Sequence, residues 1–186
     1  MSKEPIKEGY DRVSEILKPW WRQSFAKVDE NVIEKKRSIG DEVHSAITSH
    51  IDGFDYPLSD VAKPYFESWL RWQDIVKPII VKNEQRYYNE SLKITGKVDA
   101  VIKFGEGLVV CDWKCTASEE KKLWTLQGAM YNGLLYVNGI ETLDGCMFVR
   151  LDKYGKIPSV YHYEITPKVK QAMMGVILAY KYFKEG

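Results

Sequence analysis

The stretch "GKVDAVIKFGEGLVVCDWKC", residues 96–115, constrains the fold more than any other part of the chain. Two apolar runs, "VDAVIKF" and "LVVCDWKC", flank the turn signal "GEG" and read as paired strands. Both are apolar enough to lie inside a sheet, yet they carry Asp99, Asp112 and Lys114. Residues two apart on a strand share a face, so Asp112 and Lys114 are neighbours, with Cys111 and Cys115 on the opposite side. Ionised groups inside a sheet are costly unless they are paired or hold a metal. Asp112 follows Asp99 by 13 positions, and a turn at Gly105–Gly107 can bring the two carboxylates together. Converging carboxylates repel. A bound Mg²⁺ removes that penalty, because a hard dication prefers oxygen ligands. A metal-activated water beside Lys114 suits phosphodiester hydrolysis.

The rest of the chain supplies the layers around this pair. "YDRVSEILKPWW" reads as a short extended piece entering a helix, with Ser14 as N-cap. "IEKKRSIGDEVHSAITSHI" is a helix with Ile39, Val43, Ala46 and Ile47 on one face and His44 beside that stripe. "KPYFESWLRWQDIVKP" is a second helix, opened by Pro64 and closed before Pro78. The period then changes to that of strands in "IIVKNEQRYY" and "LKITGKVDAVIKF". "SEEKKLWTLQGAMYNGLLYV" reads as a helix capped by Ser118, "DGCMFVRL" and "VYHYEI" as a strand pair, and "TPKVKQAMMGVILAYKYF" as a closing helix capped by Thr166. That order predicts an α/β (α+β) fold, a central mixed sheet flanked by helices. The expected organisation is a single domain over 1–186. It comprises a helical part over about 9–78, a sheet core over about 79–165 and a helix over about 167–184.

Composition narrows the function classes. Lys+Arg 27 against Asp+Glu 26 leaves a net charge of +1, so a nucleic-acid surface must be a local basic groove. No apolar run reaches membrane-span length, and "MSKEPIKEGYDRV" lacks the apolar middle of a signal peptide. The expectation is an intracellular, cytoplasmic protein with no membrane partner. Three cysteines without a C-x-x-C argue against a zinc ribbon or an iron–sulfur cluster.

Taken together, "GKVD" at 96–99, "DWK" at 112–114, "QGAMY" at 127–131 and "GDEVH" at 40–44 resemble the PD-(D/E)XK nuclease superfamily. The likeness is to the branch that includes the RecB nuclease domain, lambda exonuclease-like enzymes and the mitochondrial genome maintenance exonuclease. It runs from about residue 9 to about 165. A lone D-x-K is uninformative; four motifs in order are not. One departure is Cys115, which stands between Lys114 and Thr116 where relatives often have Thr directly after the lysine.

The resemblance implies a restriction-endonuclease-like core and a Mg²⁺-dependent deoxyribonuclease, with Mn²⁺ able to substitute. It implies that Asp99, Asp112 and the backbone carbonyl of Trp113 bind the metal. Lys114 is then the catalytic lysine, with His44 adding a metal or phosphate contact and Glu84 a further metal or water contact. Gln127 and Tyr131, four apart and so on one helix face, line the site and touch the DNA. The implied substrate is DNA, single-stranded or with free ends, met in recombination, repair or phage DNA processing. For a phage-encoded chain the compartment is the host cytoplasm. A homo-oligomer or a recombination partner stays open. The rival readings are an inert DNA-binding or assembly module on the same fold and an RNA-directed nuclease.

Other residues read more plainly. Trp69 and Trp72 on their helix, and Trp20 and Trp21, could stack on bases, but helical aromatics are mostly core. Lys35, Lys36, Arg37, Lys121 and Lys122 could contact phosphates, but such clusters are usually solvated charge, and His50 and His162 read as surface residues.

Overall fold

A computed structural model describes residues 6–24 and 28–184. The chain runs β1 (Asp11–Arg12), α1 (Val13–Ser24), α2 (Glu30–Ile51), α3 (Lys63–Val76), β2 (Ile80–Asn89), β3 (Ile94–Phe104), β4 (Gly107–Lys114), α4 (Lys121–Val137), β5 (Gly145–Arg150), β6 (Ser159–Glu164) and α5 (Pro167–Lys184). Six strands form one mixed sheet in the order β1-β3-β4-β5-β6, with β2 on β3 as well. β3 is antiparallel to β2 and β4, β4 is parallel to β5, and β6 returns antiparallel to β5. The parallel β4–β5 step needs a crossover, and α4 supplies it.

Each face of the sheet buries a separate core. On one face Val101, Val110 and Phe148 meet Ile16 and Leu17 of α1, Trp124, Met130 and Leu134 of α4, and Ile177 of α5. On the other, Ala100, Ile102, Cys111, Trp113 and Val149 meet Ile39, Val43 and Ile47 of α2 and Trp69 and Trp72 of α3. This is the helix–sheet–helix layering expected of a restriction-endonuclease-like fold. Each fully buried side chain of this size contributes about 1.5–3 kcal/mol. The tryptophans of α3 are core, as expected; Trp20 and Trp21 are half-buried, and Trp21 packs at the edge of the first core. Among the described residues no helix is long and apolar enough to cross a membrane.

Two expected caps are corrected. α1 begins at Val13, so Ser14 lies inside its first turn, and Glu15 instead takes the Arg12 N–H at 3.0 Å. That bond is one half of a capping box. α4 begins at Lys121 rather than after Ser118, because residues 115–120 form a loop. Arg150 holds that loop by donating to Ala117 O at 2.7 Å, and the Tyr163 hydroxyl donates to Glu119 Oε1 at 2.5 Å. The α5 expectation holds: Pro167 is its first residue, and Thr166 Oγ1 accepts from Val169 N at 3.3 Å. α5 is fastened to β1 by Lys181 and Lys184, whose ammonium groups meet the buried carboxylate of Asp11.

Candidate active site

The site forms where β3 and β4 part. Their pairing runs from Phe104↔Gly107 to Ala100↔Cys111 and stops there, one step short of Asp99 and Asp112. The N–H of Trp113, freed from the ladder, donates to Asp99 Oδ2 at 2.9 Å. The Trp113 side chain points away from the site. It is 2% exposed and packs edge-on against Trp69 and Trp72, with ring centroids 6.1 and 5.2 Å away. Such pairs add about 0.5–1.5 kcal/mol each beyond their buried area. The anchored ring fixes the backbone whose N–H and C=O both face the site.

His44 comes in from α2. Its Nε2 lies 3.0 Å from Trp113 O and its Nδ1 lies 3.3 Å from Asp99 Oδ1. Both ring nitrogens face acceptors, which favours the imidazolium. Burial works against that charge, but Asp99 above all, with Asp112 and Glu84, outweighs it and raises the His44 pKa from 6.5 to about 9. Asp99 responds in kind. Burial pushes its pKa up, and the charge and hydrogen bond of His44, the charge of Lys114 and the Trp113 N–H together hold it below the usual carboxylate range.

Asp112 and Lys114 project from the same face of β4, as alternation requires. Lys114 Nζ is 2.5 Å from Asp112 Oδ2, donates to Gln127 Oε1 at 2.9 Å, and lies over the Phe148 ring, 5.3 Å from its centroid. Gln127 of α4 donates from Nε2 to Asp112 Oδ1 at 3.0 Å and to the Tyr131 hydroxyl at 3.1 Å. Its amide orientation is thereby fixed from both ends. Burial pushes the Asp112 pKa up to about 6 despite the Lys114 charge, with Asp99 adding to the rise. Asp112 Oδ2 is buried and, apart from that ion pair, accepts no directed hydrogen bond.

The helix–sheet approach that permits this is built from glycines. A Cβ on Gly96 would stand 2.7 Å from Tyr131 Cε1, and one on Gly128 would stand 2.4 Å from Cys146 Sγ. Gly96 makes room for the Tyr131 ring and Gly128 lets α4 settle on β5.

Glu84 completes the acidic row. Asn83 pairs with Ala100 and Gln85 with Val98, so Glu84 stands across from Asp99. Its backbone is left-handed, with φ 51. For a residue with a Cβ that conformation costs about 1–2 kcal/mol. Glu84 pairs with Lys97 and accepts from Thr48 Oγ1 at 3.3 Å. One ligand atom from each of His44, Glu84 and Asp99 lies within 4.8 Å of the others. Asp112 stands outside that trio, held by Lys114 and Gln127. Carboxylate oxygens with one imidazole nitrogen suit a hard or borderline divalent cation. The structure therefore brings all seven sequence-predicted side chains to one place. Sequence reasoning missed Thr48 and Lys97, the partners of Glu84; the signal available for Thr48 was its spacing of one turn from His44.

A profile of the PD-(D/E)XK nuclease superfamily matches residues 8–164. The chain belongs to the PD-(D/E)XK nuclease superfamily. Its D-x-K strand is β4, and the parting of β3 from β4 gives this PD-(D/E)XK chain its site. Solved structures share the fold at low identity. A Eubacterium rectale protein assigned as an exonuclease aligns at TM-score 0.58 and 13% identity, covering 95% of this chain and 83% of its own. The alkaline exonuclease LHK-Exo from Laribacter hongkongensis aligns at TM-score 0.52 and 11% identity, covering 95% and 88%. The same enzyme in complex with dAMP aligns at TM-score 0.50 and 11% identity, again covering 95% and 88%. No curated protein sequence matches the chain.

Proposed function

We propose that the protein is a Mg²⁺-dependent deoxyribonuclease, acting as an exonuclease on single-stranded DNA or DNA ends. The observation that carries the reading is the Lys114–Gln127–Asp112 arrangement set beside His44, Glu84 and Asp99. A partly buried lysine clamped between a buried carboxylate and an oriented amide is expensive to assemble, and an inert scaffold has no use for it. Likeness in fold to LHK-Exo, solved with dAMP, supports DNA as the substrate.

In this reading Asp99, Asp112, Glu84 and the Trp113 carbonyl would hold the cation, and His44 would join them by giving up its proton as the metal binds. Bound there, it supplies charge neutralisation at the phosphate and a water of lowered pKa. The chain's own residues do the rest. Lys114 directs its ammonium at the attacking water and the developing phosphoryl charge. Gln127 holds Lys114 and Asp112 in register, and Tyr131 holds Gln127. Water attacks phosphorus and gives up a proton, the P–O bond to the leaving nucleotide breaks, and the departing oxygen takes up a proton in its place. Such chemistry at DNA ends fits recombination, repair or phage DNA processing. The protein either loads onto ends unaided or borrows a second copy of the chain or a recombination partner.

Incubation with labelled single- and double-stranded DNA and RNA, in Mg²⁺ or in EDTA, tests the proposal. DNA cleavage in Mg²⁺ alone supports it. RNA cleavage without DNA cleavage, or binding without cleavage, overturns it in favour of an RNA-directed nuclease or an inert module. Ca²⁺ should support DNA binding without cleavage, because its looser shell activates water poorly.

A further inference from the structure

Thr48 lies one helical turn after His44 on α2 and is 4% exposed. A hydroxyl inside a helix commonly turns back to the carbonyl four residues earlier. Ser45 does so, donating to Asp41 O at 2.9 Å, and Thr125 does so, donating to Lys121 O at 2.7 Å. Thr48 instead donates across to Glu84 Oε2 at 3.3 Å, on a strand 36 residues further along. Beside it, Asn83 Nδ2 reaches back to Thr48 O at 3.4 Å and to Asp52 Oδ1 at 3.2 Å. β2 is thus stitched to α2 at the residue preceding Glu84.

The two oxygens of Glu84 have opposing tethers. Oε1 meets Lys97, a long side chain that is 46% exposed. Oε2 meets Thr48, a short β-branched side chain that is buried. A β-branched residue in a helix has few rotamers, so its hydroxyl is a fixed donor, whereas an exposed lysine is a movable one. With the fixed tether removed, the carboxylate is free to follow Lys97 towards solvent and away from His44 and Asp99.

We propose that Thr48 is a positioning residue of the metal site, acting through Glu84. Its hydroxyl keeps the Glu84 carboxylate within reach of His44 and Asp99. One turn of α2 then supplies both a metal contact, His44, and the holder of a second, Glu84. The inference rests on the metal-binding reading given above.

The test is calorimetric titration of the full chain with Mn²⁺ alone. Thr48→Val keeps the shape and removes the donor; Thr48→Ser keeps the donor. Outer partners of metal ligands are typically worth about 10- to 100-fold in affinity, and a single hydroxyl belongs at the low end. Thr48→Val should therefore bind Mn²⁺ about tenfold more weakly, with its metal-free melting temperature little changed. Thr48→Ser should bind close to wild type. Thr48→Val combined with Glu84→Gln should be no weaker than Glu84→Gln alone. Should the valine variant not fold, Thr48→Ala takes its place with the same expectation.

Wild-type affinity in Thr48→Val overturns the proposal. So does a Thr48→Ser protein as weak as Thr48→Val, which would mark a packing effect, or a double variant weaker again by the full factor. Failure of the metal reading looks different. In that case the wild-type protein takes up no Mn²⁺, or Glu84→Gln and Asp99→Asn leave its affinity untouched, and the role of Thr48 falls with it.

Discussion

The ring of Tyr131 occupies the space that a side chain at Gly96 would fill: a Cβ there would lie 2.7 Å from Tyr131 Cε1 and 2.8 Å from Leu134 Cδ1. Two motifs 28 positions apart at their near ends are thus one contact in space. Gly96→Ala should force α4 to shift and cost about 1–3 kcal/mol, as overpacking does. In a Tyr131→Ala background, where the ring is gone, the same change should cost less. Urea unfolding of the four proteins measures the coupling; additive losses contradict the contact.

Gln127→Ala releases Lys114, Asp112 and Tyr131 at once. Its turnover should fall about 10- to 100-fold, the usual range for partners of metal ligands. Tyr131→Phe keeps the ring on Gly96 and loses only a bond to Gln127, so its loss should be smaller. Circular dichroism should show both folded. Equal rates for wild type and Gln127→Ala would leave the amide without a role.

Lys114→Ala and Asp112→Asn should fail in different ways. Asp112 is 2% exposed and an oxygen donor, so Asp112→Asn should lower Mn²⁺ affinity together with cleavage. Lys114→Ala deletes a positive charge 2.5 Å from that carboxylate, so Mn²⁺ should bind at least as well. Cleavage should still fall about 100- to 1,000-fold, the usual loss for one preorganised electrostatic contact. Calorimetry beside a cleavage assay separates the two.

The folded, metal-free protein holds the His44 proton more tightly than the unfolded chain, because its pKa is raised from 6.5 to about 9. That contribution to stability is fully present below pH 6.5 and is lost as pH rises through about 9. In EDTA the unfolding free energy should decline by roughly 1–3 kcal/mol across that window. His44→Gln should flatten the decline. Parallel profiles for the two proteins would contradict the charged imidazole.

Local pattern made much of this legible in the sequence. Alternation placed Asp112 and Lys114 on one face, and helical spacing put Gln127 with Tyr131 and found the buried stripe of α2. The α4 start misled, because Ser118 with two acids after it imitates a cap, while Arg150 and Tyr163 from distant strands hold those residues as a loop. Glu84 was harder. Its strand alternates like any other, and no residue type announces a left-handed backbone at a glutamate. The spacing of Thr48 one turn from His44 is a local signal, but that it and Lys97 meet Glu84 depends on how β2 sits against α2 and β3, a non-local fact. Gly96 and Gly128 are places where α4 packs on the sheet too tightly to leave room for a Cβ.

The most direct test is digestion of 5′- and 3′-end-labelled single- and double-stranded DNA by the wild-type protein and by Lys114→Ala. Wild type in Mg²⁺ should release short labelled products from one end, with nothing released in EDTA, and Lys114→Ala should release about 100- to 1,000-fold less while still binding Mn²⁺. Full cleavage in EDTA, or a Lys114→Ala protein that digests DNA at the wild-type rate, would contradict the account.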